Sequence, residues 1–102
     1  MKRPENLTGK QRRQLKGLAH GLKPLVQISG KGITETVLSA IDQALTDHEL
    51  IKVKLSEGCP VPRKEAGPLL ADPTDAHHIG LIGRVIILYR RHPDAPVVPL
   101  HS

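Results

Sequence analysis

The sequence predicts an α/β fold, a compact single domain with a mixed four-stranded sheet and helices packed on it. Three observations carry this. Residues Leu50-Ile51-Lys52-Val53-Lys54-Leu55 alternate, with Ile51, Val53 and Leu55 on one face and Lys52 and Lys54 on the other, the period-two signature of a strand. A helical stretch with apolar positions Val37, Leu38, Ala40, Ile41, Ala44 and Leu45 separates it from the earlier apolar run that ends at Ile28, and strand–helix–strand makes a parallel crossover the expected connection. Finally, Ile79 to Ile82 and Val85 to Arg90 flank Gly83-Arg84, a two-residue loop whose leading glycine suits a type II′ hairpin turn.

At 102 residues the chain is one domain with a modest core. The expected division is a flexible N-terminus over residues 1–6, a folded domain over 7–91 and a Pro-rich tail over 92–102, extended or loose. Tyr89 is the single aromatic residue, so the core is built from Leu, Ile, Val and Ala, and no aromatic platform for stacking bases exists. Fifteen Lys and Arg against ten Asp and Glu give a net charge of +5, which points to a polyanionic partner. The distribution sharpens this: no acid lies between Glu5 and Glu35, whereas Lys10, Arg12, Arg13, Lys16, Lys23 and Lys31 all do. The lone Cys59 excludes an intrachain disulfide and fits a reducing compartment. No apolar run has the length of a membrane span, and a cytoplasmic protein is expected.

Taken in order, Thr8 with Gln11 three residues on forms a capping box that opens the first helix. Helical spacing places Leu7, Leu15, Leu18 and Leu22 on one side and Lys10, Arg12, Arg13 and Lys16 largely on the other. Such a basic face is either simply solvated or half of a nucleic-acid surface; the absence of balancing acids at i,i+4 favours the second. Gly21 and Pro24 end the helix. The run from Pro24 to Ile28 reads as a first strand, interior to the sheet because it is largely apolar. Thr34 then begins the second helix, with Glu35 in its first turn complementing the dipole.

Between this strand and helix stands Ser29-Gly30-Lys31-Gly32. Glycines let a backbone take positive φ and approach a ligand closely, and amides beside a helix N-terminus suit an anion, with Lys31 adding a full charge. By itself Gly-Lys-Gly is equally compatible with a plain turn and a solvated lysine. It is not a nucleotide-binding P-loop, which would need Gly where Leu25 stands and Ser or Thr where Gly32 stands.

Ser56 to His78 is broken by Pro60, Pro62, Pro68 and Pro73. Arg63 to Ala66 and Leu69 to Ala71 are helix-compatible, and Pro68 is expected to interrupt or kink any helix that joins them. His77 and His78 would point to opposite faces of a strand and cannot chelate together; neither they nor Cys59 have zinc-type spacing. No metal and no cofactor is expected.

Lys16-Gly17-Leu18-Ala19-His20, Leu22-Lys23-Pro24-Leu25-Val26, Gly32-Ile33-Thr34-Glu35, His48-Glu49-Leu50-Ile51-Lys52-Val53-Lys54, Ile82-Gly83 and Leu88-Tyr89-Arg90 follow one another along the chain. Together, from about Leu7 to Arg90, they resemble the CRM domain in its single-domain bacterial, YhbY-like form. The resemblance implies an RNA-binding domain similar in fold to the C-terminal domain of translation initiation factor 3, associated with precursors of the large ribosomal subunit. It also implies a third helix after Leu55, completing the order α-β-α-β-α-β-β. The family's Gly-x-x-Gly loop maps to Ser29-Gly30-Lys31-Gly32, with Ser29 in place of the first glycine.

Catalysis is not expected: the loops offer no paired carboxylates, no placed nucleophile beyond Cys59 and no acids for magnesium. The leading expectation is a monomer that binds structured ribosomal RNA of the large-subunit precursor through phosphates and 2′-hydroxyls, using Lys10, Arg12, Arg13, Lys16, Ser29, Gly30, Lys31 and Gly32, with Lys52 and Lys54 extending the surface or merely facing solvent. An alternative is a protein adaptor whose basic face docks on an acidic protein of the same particle. Membrane attachment through the first helix is disfavoured, since its apolar face is needed for the core and lacks Trp and Phe. No small-molecule substrate is expected.

Overall fold

The computed structural model describes residues 7–94 and 96–99 of the chain; the expected flexible N-terminus and residues 100–102 of the tail lie outside the described residues. The elements are α1 (Gly9–Ala19), β1 (Val26–Ile28), α2 (Glu35–His48), β2 (Leu50–Leu55), α3 (Arg63–Ala71), β3 (His77–Ile82) and β4 (Val85–Tyr89), in the predicted succession. The four strands lie in the order β1-β2-β4-β3. β1 runs parallel to β2, while β4 is antiparallel to both β2 and β3.

The sheet separates two apolar layers. On one face α2 and α3 pack Ile41, Leu45 and Leu70 against Ile28, Ile51, Val53, Leu55, Ile86 and Leu88. On the other, α1 sets Leu15 and Ala19 against Leu50, Ile79, Ile87 and Tyr89. The central strand β4 is therefore buried on both faces, as its unbroken apolar run predicts. β1 is not interior as expected but an edge strand. Its Val26 and Ile28 face the α2 layer while Gln27 is exposed, so one covered face suffices for its apolar content.

The predicted capping box is present: Gln11 N–H donates to Thr8 Oγ1 at 3.1 Å and Thr8 N–H to Gln11 Oε1 at 3.0 Å. The buried stripe of α1 is narrower than the leucine spacing suggests. Leu15 and Ala19 are fully buried, but Leu18 and Leu22 are 41% and 40% exposed. The helix covers only part of its face of the sheet, and the small Ala19 permits close approach there.

Pro68 does not interrupt α3, which continues through it to Ala71. Proline removes one backbone donor, yet tertiary packing holds the helix: a Cβ on Gly67 would come within 2.3 Å of the His78 ring, so α3 lies directly on β3 at this point. The hairpin turn has φ of +60° at Gly83 and ordinary φ at Arg84, as a type II′ loop requires.

Glu49, between α2 and β2, organises the tail. It is 1% exposed, and its backbone takes φ 64°, ψ −48°, a sparsely populated region for a residue with a Cβ. Its Oε2 accepts from the His92 N–H at 2.6 Å and its Oε1 from Val97 and Val98 N–H at 2.6 and 2.7 Å. Val98 then packs on the α1 layer and Gln14 Nε2 donates to Pro99 O at 2.7 Å. The described part of the tail, expected to be extended or loose, is thus held against the α1 layer. Arg90 ties α2 to the loop after α3, donating to Asp42 Oδ1 at 2.6 Å and to Thr74 O at 2.8 Å.

Candidate nucleic-acid interface

The cations of α1 divide by what they do. Arg12 is half-buried and donates from Nη1 to His78 O at 2.9 Å, tying the helix to β3. Lys10, Arg13 and Lys16 are exposed. The Lys16 stem crosses β3 at Gly80, where an added Cβ would stand 3.0 Å from its Cε; the glycine lets the stem lie flat and carry its ammonium outward. The positive field on this flank is felt by His78. Burial lowers its pKa from 6.5, the charges of Arg12 and Lys16 lower it further, and a backbone hydrogen bond at Gly80 partly opposes them. Among the described residues its buried Nε2 has no hydrogen-bond partner.

The loop after β1 is a tight turn in which the Gly32 N–H donates to Ser29 O at 3.0 Å. Gly32 has φ +75° and is buried, so its conformation favours glycine, and a Cβ there would press on Pro60 Cγ at 3.2 Å. Gly30 faces the Gly58 carbonyl, which a Cβ would approach to 3.5 Å. Ser29 needs no glycine: the positive-φ residues other than glycine among the described ones are Glu49 and Asp75. The departure from Gly-x-x-Gly therefore leaves the turn closed. Lys31 is exposed at its tip, and α2 begins just beyond, with Thr34 Oγ1 accepting the Val37 N–H at 3.1 Å. Two acids flank the turn, Glu35 in the first turn of α2 and Glu57 in the loop that packs on Gly30, both exposed.

These two groups of cations stand at opposite edges of the sheet. Lys16 lies over β3, whereas Lys31 follows β1; three inter-strand spacings of about 4.8 Å separate those edges by roughly 14 Å. Lys52 and Lys54 project from β2 between them, on the face that α1 occupies. They are not equivalent. Lys52 is half-buried and its Nζ donates to Leu22 O at 3.0 Å and His20 O at 3.4 Å, satisfying carbonyls at the end of α1. Lys54 is exposed.

Sequence reasoning did not single out Arg84 or Arg63. Arg84 donates to Leu55 O at 3.1 Å and Ser56 O at 2.7 Å, and Arg63 to Gly83 O at 3.0 Å, so both brace the hairpin against the loop that supports Gly30. Their backbone partners are distant in sequence and leave no local pattern. His77 and His78 do lie on opposite faces: His77 stacks on Tyr89 with ring centroids 6.3 Å apart, and His78 packs on Gly67.

Comparison with known proteins adds to this geometry. The family model of the CRS1 / YhbY (CRM) domain matches residues 7–90. A Haemophilus influenzae protein named "RNA-binding protein" is 40% identical over 91 residues, spanning 89% of this chain and 92% of the relative. The Bacillus subtilis protein named "Probable RNA-binding protein YqeI" is 31% identical over 94 residues, spanning 92% of this chain and 98% of its own length. The solution structure of the hypothetical protein SAV1595 from Staphylococcus aureus superposes with a TM-score of 0.80 at 35% identity, covering 94% of this chain and all of that one.

Proposed function

The chain belongs to the CRM domain family, and from that premise we propose that it is an RNA-binding protein, without catalytic activity, that grips structured RNA by its phosphates and 2′-hydroxyls. The observation that carries this reading is the set of exposed cations: Lys10, Arg13 and Lys16 on α1, Lys54 on the sheet face that α1 occupies and Lys31 at the tip of a closed glycine turn. Arg12 and Lys52 contribute charge while holding α1 in place. The relatives' names support RNA as the polyanion. With Tyr89 the single Phe, Tyr or Trp residue, and that one buried, the surface has no large aromatic platform, so duplex or otherwise structured RNA suits it better than splayed single strands.

The RNA is ribosomal, exposed in precursors of the large subunit, as the family resemblance implies, and the protein acts as a monomer. Phosphate contacts position a protein without reading sequence and are readily reversed by competition, which suits a factor that leaves when later folding covers its site. The test is sedimentation of cell lysate at low salt. The protein should peak just to the light side of the mature large subunit, and Arg13→Glu combined with Lys31→Glu should move it to the top of the gradient. Equal partition into polysomes, or association indifferent to the double substitution, would refute the assignment.

A further inference from the structure

The sheet face that carries α1 is only partly covered by it. Strand register sets three rows of residues across this face: Leu50, Tyr89 and His77; then Lys52, Ile87 and Gly80; then Gln27, Lys54, Val85 and Ile82. The helix closes over the first two, with Leu15 and Ala19 packed on Leu50, Ile87 and Tyr89 and Lys16 over Gly80. It ends at Ala19, and the third row lies beyond its end. There Gln27 and Lys54 are exposed, Val85 is half-buried and Ile82 is 59% exposed.

Pro24 stands over this row and divides the space into two adjoining grooves. One, of about 230 Å³, is lined by His20, Pro24, Lys52, Ile82 and Val85. The other, of about 450 Å³, is lined by Lys23, Pro24, Leu25, Val26, Gln27 and Lys54. The first is smaller than the roughly 300–1,000 Å³ of sites that engulf a small molecule. It is a shelf for a flat group, with aliphatic floor and wall.

Among the described residues, the lining of both grooves contains cations and no carboxylate. An apolar shelf beside Lys54 and Lys23 is complementary to a ligand with an apolar planar part and an anionic part a short distance away, and the Gln27 amide adds one donor and one acceptor group at its edge. The shelf also adjoins the surface proposed above, since β1 runs from Gln27 into the Lys31 turn and His20 follows the last turn of α1. We propose that it holds one unpaired nucleotide flanking the structured RNA, with the base laid on Val85 and Ile82 and its phosphate met by Lys54 and Lys23. The inference rests on the RNA-binding reading and adds to it a base contact that phosphate binding alone would not make.

The test uses the full chain and synthetic RNA hairpins with one common stem, either blunt or carrying a short unpaired 5′ or 3′ extension. One of the extensions should tighten binding roughly fivefold, about what covering one apolar face of a base provides. Ile82→Ser should abolish that gain and leave blunt-stem binding unchanged; because Ile82 is mostly exposed, the variant keeps its fold, which its urea midpoint checks. Ile82→Tyr supplies a stacking ring and should enlarge the gain. A 4-thiouridine in the favoured extension should crosslink to peptides containing Pro24, Ile82 or Val85. If neither extension helps the parent or Ile82→Tyr while the blunt stem still binds, the inference falls and the RNA-binding reading stands. If no hairpin binds at low salt, the RNA-binding reading itself falls. Should Ile82→Ser abolish capture of an acidic, apolar peptide while leaving the gain from the extension intact, the shelf belongs to a protein partner and the inference is overturned.

Discussion

Replacing Glu49 tests how the fold is closed. Its buried carboxylate accepts three backbone N–H groups, from His92, Val97 and Val98. Hydrogen bonds to a charged group contribute about 1.5–3 kcal/mol each, so removing the acceptor puts a gross 5–9 kcal/mol at stake. The tail has an escape: it can detach and hydrate those amides, regaining about 1 kcal/mol of backbone entropy for each of roughly six residues freed, at the expense of the Val98 contact. Offsetting about 6 kcal/mol of entropy against the gross figure, and adding roughly 1 kcal/mol for the lost Val98 contact, leaves an expected net loss for Glu49→Ala of up to about 4 kcal/mol, or as much as some 20 °C in Tm for a domain of this size. A second substitution isolates the backbone. At φ 64° a Cβ is strained, and glycine is not, so Glu49→Gly should be more stable than Glu49→Ala by about 1 kcal/mol or more although both lack the carboxylate. Urea midpoints with a constant slope give the energies, and hydrogen exchange at the amides of Val97 and Val98 reports whether the tail is released. If those amides stay protected in Glu49→Ala, or if Glu49→Gly is no more stable than Glu49→Ala, the reading of Glu49 is wrong.

Because α3 runs unbroken through Pro68, Pro68→Ala restores a backbone donor opposite the Lys64 carbonyl and should stabilise the fold by about 1–2 kcal/mol, after allowing for the added freedom of the unfolded chain; a urea midpoint that falls would contradict the observed helix. The lowered pKa of His78 has a defined sign: the unfolded chain takes up the proton first as pH falls, so stability should rise with pH through the region of 6.5 and be lost below it. Comparing midpoints at pH 8 and 5.5, the parent should lose more stability than His78→Asn, and equal losses would refute the assignment of that response to His78.

Much of the fold was legible where the controlling interaction is local. Thr8 and Gln11 cap each other three residues apart, the alternation of β2 spans consecutive residues, and Gly83 meets the demand of its own turn. The misreadings share one cause, contacts between distant segments. β1 reads as interior because its apolar residues are consecutive with Leu25, yet Leu25 is 53% exposed at the edge. Leu18 and Leu22 carry the same spacing as Leu15, but the sheet beneath them is not covered to that side, and Ala19 makes the contact instead. Pro68 announces a break that the packing of Gly67 on His78 overrides. Glu49 gave no signal at all, since its carboxylate meets partners 43 to 49 residues away. Within the candidate interface the glycine turn and the helix cations were legible as residues, whereas the separation of Lys31 from Lys16 by the width of the sheet, and the different duties of Lys52 and Lys54, depend on strand order.

The salt dependence of RNA binding reports on the proposed electrostatic interface without intermediaries. For a ribosomal RNA helix, the logarithm of the affinity should fall linearly with the logarithm of salt concentration, with a slope of about 0.9 per phosphate neutralised. The exposed set of Lys10, Arg13, Lys16, Lys31 and Lys54 predicts a slope of roughly 4 to 5, and Lys31→Ala should reduce it by about one while leaving thermal stability unchanged. A single-stranded oligomer of equal length should bind more weakly throughout. Flat salt dependence, no binding at low salt, or a Lys31→Ala slope identical to that of the parent would contradict an electrostatic RNA surface that includes the glycine turn.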